Sequence, residues 1–189
     1  MSIARVAQVV WYVTGRFYAS QSNTLEDVGY FLHLQGIEDS LFDGPVSEAT
    51  ALLTFASEQF SASTVTNGGL NIGLDAKGAF SIFLREKGGA SFDDPRSFAA
   101  GQCIATFERT AIVSTAQVPE TSKFTLSTNV FTARLASSEP FELAGARYDF
   151  RDLIGFGITQ WGIAATEPLT PPAGYVAVVP FVGSAIRVA

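Results

Sequence analysis

Arg109 interrupts the run 102–115, QCIATFERTAIVST, where an extended chain places it on one face with Cys103, Ala105, Phe107, Ala111 and Val113. A guanidinium keeps its charge, so in such surroundings it must reach a carboxylate, a ligand or the open end of the strand. The chemistry it offers is the anchoring of a carboxylate, enolate or carbonyl oxygen. Its neighbour Glu108 falls on the opposite face between Thr106 and Thr110, and a one-residue bulge would exchange the two roles.

Three further side chains are candidates for the acid or base of such a site: Tyr30, Tyr148 and Asp152. The last two lie in 147–152, RYDFRD, which as a strand sets Arg147, Asp149 and Arg151 on one face and Tyr148, Phe150 and Asp152 on the other. As a solvated ladder its ion pairs would contribute about 0.2–1 kcal/mol each. Glu26 and Asp27 precede the second candidate strand. Asp93 and Asp94 sit in a polar loop, where Pro95 suits a capped helical turn better than a calcium site.

Most other chemistries are excluded by what the chain lacks. With one histidine, His33, and one cysteine, Cys103, neither a three-histidine site nor a zinc site built from several Cys and His can form, and a Ser-His-Asp triad would have to use His33. No phosphate-binding loop, dinucleotide fingerprint or nucleophile elbow is present, so no cofactor is implied. Twelve basic against 18 acidic residues give a net charge of −6, which argues against nucleic acid and against an anionic membrane surface. The lone cysteine, and the absence of a long apolar stretch ending in a small-residue cleavage site, fit a cytoplasmic protein.

Strand-like segments must position these residues. They run over 8–19, 28–35, 47–62, 69–74, 79–86, 102–115, 123–135, 141–152, 155–164 and 175–182, rich in β-branched and aromatic residues and bounded by Gly, Pro, Asn, Asp and Ser. The best hairpin connections are Asn67-Gly68-Gly69 and Asp75-Ala76-Lys77-Gly78. Helix signals are confined to a turn at 94–101 and a short turn within 1–10. The expected fold is all-β with minimal helix: one domain over 1–189, closed as an antiparallel β-barrel of about 8–10 strands. In general shape this set of strands resembles the calycin barrels or the allene oxide cyclase and dirigent barrels, although Gly15-Arg16-Phe17 does not reproduce the lipocalin G-x-W.

Phenylalanine dominates the aromatic residues, 16 against 5 Tyr and 2 Trp, and fills cores without needing a polar partner. Phe107, Phe124, Phe150, Phe156 and Trp161 are the expected lining of an apolar cavity, Trp161 being flanked by Gly157 and Gly162. The leading expectation is a barrel that encloses a small hydrophobic organic molecule. If it is an enzyme, cofactor-free cyclisation or isomerisation is the class left standing, and the resemblance to allene oxide cyclase barrels implies the same. The alternatives are a carrier of a lipophilic metabolite and an oligomeric structural barrel with a filled core. Only 16% of residues are charged, 47% are hydrophobic and the mean hydropathy is +0.24, so apolar surface is expected to be hidden in a homo-oligomer or to line an internal cavity.

Overall fold

The computed structural model describes residues 5–22, 24–37, 40–61, 63–67, 70–74, 78–117, 126–165 and 169–188, with the backbone alone for 63–67, 70–74, 111–117, 126–127 and 165. Its strands are β1 Val9–Ser20, β2 Leu25–Leu34, β3 Leu53–Ser57, β4 Ser63–Asn67, β5 Leu70–Leu74, β6 Ala79–Leu84, β7 Gln102–Gln117, β8 Leu126–Ser138, β9 Phe141–Leu143, β10 Ala146–Tyr148, β11 Gly157–Ala165 and β12 Tyr175–Val188. One helix, α1 Phe150–Ile154, lies between β10 and β11.

Ten of these strands form one sheet in the order β4-β5-β7-β6-β3-β2-β1-β12-β11-β8, and pairing of β7 with β8 closes it. Every pairing is antiparallel. β3 and β4 act as one interrupted stave, as do β5 and β6, because β6 and β5 pair with successive stretches of β7. The result is a closed eight-stave barrel in which neighbours in sequence are neighbours in space, its β2–β3 seam held by the pairs Val28–Ala56 to Tyr30–Thr54 and by a bridge between Leu25 and Phe60.

Alternation decides what points inward. Along β1, Trp11, Val13, Gly15 and Phe17 face the interior while Tyr12, Thr14 and Arg16 face out; along β11, Ile158 and Gln160 face in while Trp161 faces out. The interior is packed with aromatic rings, with Trp11, Phe31 and Phe107 all about 1% exposed or less. Phe150, Leu153 and Ile154 of α1 join the same core. A second core lies outside the wall, where Phe98 of the turn Pro95–Ala99 packs with Tyr18, Val28, Tyr30 and Val178 on the outer face. Thr54 Oγ1 donates to the Phe98 carbonyl at 2.6 Å and pins that flap down.

Two segments depart from the sequence expectation. The expected strand 47–62 contains a 3₁₀ turn at Glu48–Thr50, and the ladder starts at Leu53 after an isolated bridge between Ala51 and Phe42. The expected strand 141–152 is instead the hairpin β9-β10 followed by α1. Its two-residue turn has positive φ at Ala144 (51°) and Gly145 (84°), the conformation of a primed hairpin turn. Asp149 then caps α1 by accepting from Arg151 N at 2.8 Å and from Ser138 Oγ at 2.6 Å, so the expected ladder of Arg147, Asp149 and Arg151 does not form. The turn at Pro95 forms as a 3₁₀ turn over Pro95–Ala99, but the Asp94 side chain does not cap it. The expected hairpin turns at 67–69 and 75–78 fall largely outside the described residues. No described helix is long and apolar enough to cross a membrane.

Candidate functional site

Arg109 projects into the barrel, as its sequence position implies. A β-bulge at Thr110 on β7 sits beside it, with Arg109 opposite Ala133 and Ala111 opposite Thr132. A second bulge, at Ile104, turns Cys103 outward; Ile104 and Ala105 are both buried and Cys103 is exposed, so Cys103 does not share the inner face. The side chains of Ala111 and Val113 lie outside the described set.

The partner of Arg109 is Asp27 on β2, not Asp152. Arg109 Nη2 donates to Asp27 Oδ1 at 2.6 Å, with the two residues 6% and 3% exposed. Three phenyl rings surround the guanidinium carbon: Phe60 at 4.9 Å, Phe131 at 5.0 Å and Phe80 at 5.3 Å. Those rings and Asp27 offset the desolvation of the cation. Its Nε and Nη1 are also buried, and neither meets an acceptor among the described residues. A buried donor left without an acceptor costs about 1–3 kcal/mol.

These groups border a narrow internal cavity of about 10 Å³, which is room for a single water. Trp11, Phe31, Phe55, Phe80 and Phe131 form its aromatic wall. Asp27, Arg109 and Gln160 are its polar groups. Trp11 Nε1 donates to Gln160 Oε1 at 3.0 Å. Because an indole N–H can only donate, this contact fixes the amide's orientation and leaves its nitrogen as the end offered elsewhere. Bare backbone makes room for the amides: a Cβ on Gly183 would lie 3.2 Å from Gln160 Nε2, and one on Gly162 would lie 2.8 Å from Asn129 Oδ1.

The remaining sequence candidates are scattered. Glu108 is exposed and accepts from Arg134 Nε at 2.8 Å and Nη2 at 2.5 Å, an outer-face ion pair. Tyr30 is buried in the outer core, edge-on to Phe42, and burial first and Glu48 second push its pKa up. Tyr148 packs on Phe141 in the β9-β10 hairpin, and Asp152 is exposed in the first turn of α1. Among the expected lining residues, Phe107 stands in the interior against Trp11 and stacks on Phe80, while Phe150 is buried under the barrel in α1. Phe156 is 79% exposed and Trp161 49% exposed, so both face away from the cavity. Phe124 lies outside the described residues.

Asp27, Gln160 and Asn129 were not singled out from sequence as interior groups. For Asp27 the signal was available in Asp27-Val28-Gly29-Tyr30-Phe31, whose alternation puts the carboxylate on the face of Phe31. For Gln160 it was the alternation Ile158, Gln160, Gly162, Ala164. Two phenols outside the cavity are held protonated. Burial, only partly opposed by Arg16, pushes Tyr18 up to about 12, and its hydroxyl donates to the Phe92 carbonyl at 2.8 Å. Tyr175 is raised by burial and by its hydrogen bond to the Glu26 carboxylate.

Comparison with protein-family profiles, with curated proteins and with solved structures finds no significant match. No group of three or more His, Cys, Asp or Glu suited to a metal ion occurs among the described residues. Among the described residues, the polar side chains bordering the cavity are one guanidinium, one carboxylate and one amide, together with the indole N–H of Trp11.

Proposed function

We propose that the barrel binds a small, mainly apolar organic molecule through an acceptor oxygen held by Arg109. The observation that carries this reading is the pair of buried, unmatched donors, Nε and Nη1, at the edge of an aromatic cage. Apolar walls with a few convergent polar groups are the general composition of small-molecule sites. The cavity is closed down to about 10 Å³, so a ligand must displace rings to enter, and association should be slow. Should the protein also catalyse, Arg109 would stabilise an enolate and Asp27 would carry the proton, the combination needed for isomerisation or cyclisation.

Trp11 reports on binding directly, since it lines the cavity while Trp161 is outside. In a Trp161→Phe protein, the aryl ketone β-acetonaphthone should quench the remaining indole emission saturably. Absence of quenching in the range of ketone solubility rejects the reading. Catalysis has its own assay: the protein should speed exchange of the ketone's methyl protons in heavy water, and exchange no faster than in buffer would leave a binder only.

A second reading, self-association, is favoured by one outer face. Val130, Trp161, Val182 and Ile186 are exposed large apolar residues on adjacent staves, Trp161 being paired with Val130 and with Ser184, and Ser184 with Tyr12. The paired outward residues Val130, Trp161, Ser184 and Tyr12 carry no charge, so two copies could meet at them without repulsion despite the net charge of −6.

A further inference from the structure

We infer that the molecule the barrel takes is a neutral carbonyl compound rather than an anion, and that Asp27 sets this choice. The inference rests on the ligand-binding reading above and adds the ligand's charge. Charge inside the cage is already balanced. Arg109 carries one positive charge, and Asp27 answers it at 2.6 Å. The other polar wall group, Gln160, is neutral, and the rest of the wall is hydrocarbon apart from the indole N–H already given to Gln160.

A carboxylate entering this space would leave it with a net negative charge and would lie close to Asp27. Burying an ion without a counter-charge of its own costs several kcal/mol even after relaxation. A ketone oxygen changes no charge. The unmatched groups, Nε and Nη1 of Arg109, are donors, so their complement is an acceptor, and a carbonyl oxygen supplies one without a charge. Arg109 alone would read as an anion site; paired with Asp27 it becomes a strong but neutral donor. Removing the charge of Asp27 should therefore convert the site to an anion site.

The test compares β-acetonaphthone with β-naphthoate, which share a ring system and differ in charge, by titration calorimetry near neutral pH. The natural protein should bind the ketone at least about 10-fold more tightly than the naphthoate, a difference of about 1.4 kcal/mol. Asp27→Asn should reverse that order. An Asp27→Asn, Arg109→Gln double variant, which keeps the cage neutral, should lose ketone affinity and gain none for naphthoate. If the single variant does not fold, the natural protein's ratio and the double variant carry the test. Equal affinity or a preference for naphthoate in the natural protein overturns this inference and leaves the ligand site standing. Binding of neither probe overturns both.

Discussion

Gly15 and Gly29 face each other across β1 and β2, and the rings of Phe55 and Phe181 lie against the bare backbone they leave. A Cβ on Gly29 would sit 2.2 Å from the Thr14 carbonyl oxygen and 2.6 Å from Phe55 Cζ; one on Gly15 would meet the Phe181 ring at 2.7 Å. The cage is therefore built partly from missing side chains. Gly29→Ala should destabilise the fold by about 1–3 kcal/mol, the usual cost of overpacking a core. Urea denaturation reads this as a lower midpoint at unchanged slope, and a midpoint equal to that of the natural protein would show that both the β1 backbone at Thr14 and the Phe55 ring give way freely.

Removing one member of the buried ion pair should be much worse than removing both. Arg109→Met strands the Asp27 carboxylate among phenyl rings and should cost about 3–5 kcal/mol. An Asp27→Leu, Arg109→Met double variant should recover most of that loss. Thermal melts of the three proteins give the coupling, and additive losses would mean that the contact is not what compensates the two charges.

Tyr18 ties alkaline stability to the outer core. Its pKa is about 10 when unfolded and about 12 when folded, so between these values the unfolded state binds fewer protons than the native one. Its contribution is fully present below pH 10 and is lost as the pH rises towards 12. Tyr30 and Tyr175 are shifted in the same direction and add to the loss. Tyr18→Phe should shallow the decline above pH 10 while costing about 0.5–1.5 kcal/mol at neutral pH for the bond to the Phe92 carbonyl. A pH series of urea titrations on both proteins is the check.

The outer apolar face makes its own forecast. Trp161→Lys puts a charge in the centre of that row without touching the interior, so sedimentation should show an oligomer for the natural protein at micromolar concentration and a monomer for the variant. A natural protein that sediments as a monomer refutes the self-association reading.

The barrel was legible because period-2 alternation and turn residues are local properties, readable stave by stave. So was Arg109, whose charge shares a face with Ala105 and Phe107 because the alternation runs unbroken from Ala105 to Arg109. The partner was not. Asp27 lies 82 residues earlier, on a stave separated from β7 by two others, and only closure of the barrel brings the two together. Cys103 was misplaced because a bulge at Ile104 adds one residue and inverts the face, and no strong signature in the sequence marks it. Segment 141–152 was misread for a different reason. Its apolar alternation is real, but Ala144-Gly145 folds it into a hairpin and Asp149 caps a helix, so Tyr148 and Asp152 end up under and outside the barrel.

The proposed hydrogen bond from the unmatched N–H groups of Arg109 to a ligand oxygen inside the cage can be read at the Nε–H resonance of Arg109 in a nitrogen-15 correlation spectrum. Burial should protect that proton from solvent exchange, and its assignment follows from its loss in the Asp27→Leu, Arg109→Met protein. On titration with β-acetonaphthone this resonance should shift saturably while that of the surface residue Arg134 stays in place. An Arg109 resonance unmoved at ketone concentrations that quench Trp11 would mean that the ligand is bound without Arg109, and the proposed site would be wrong.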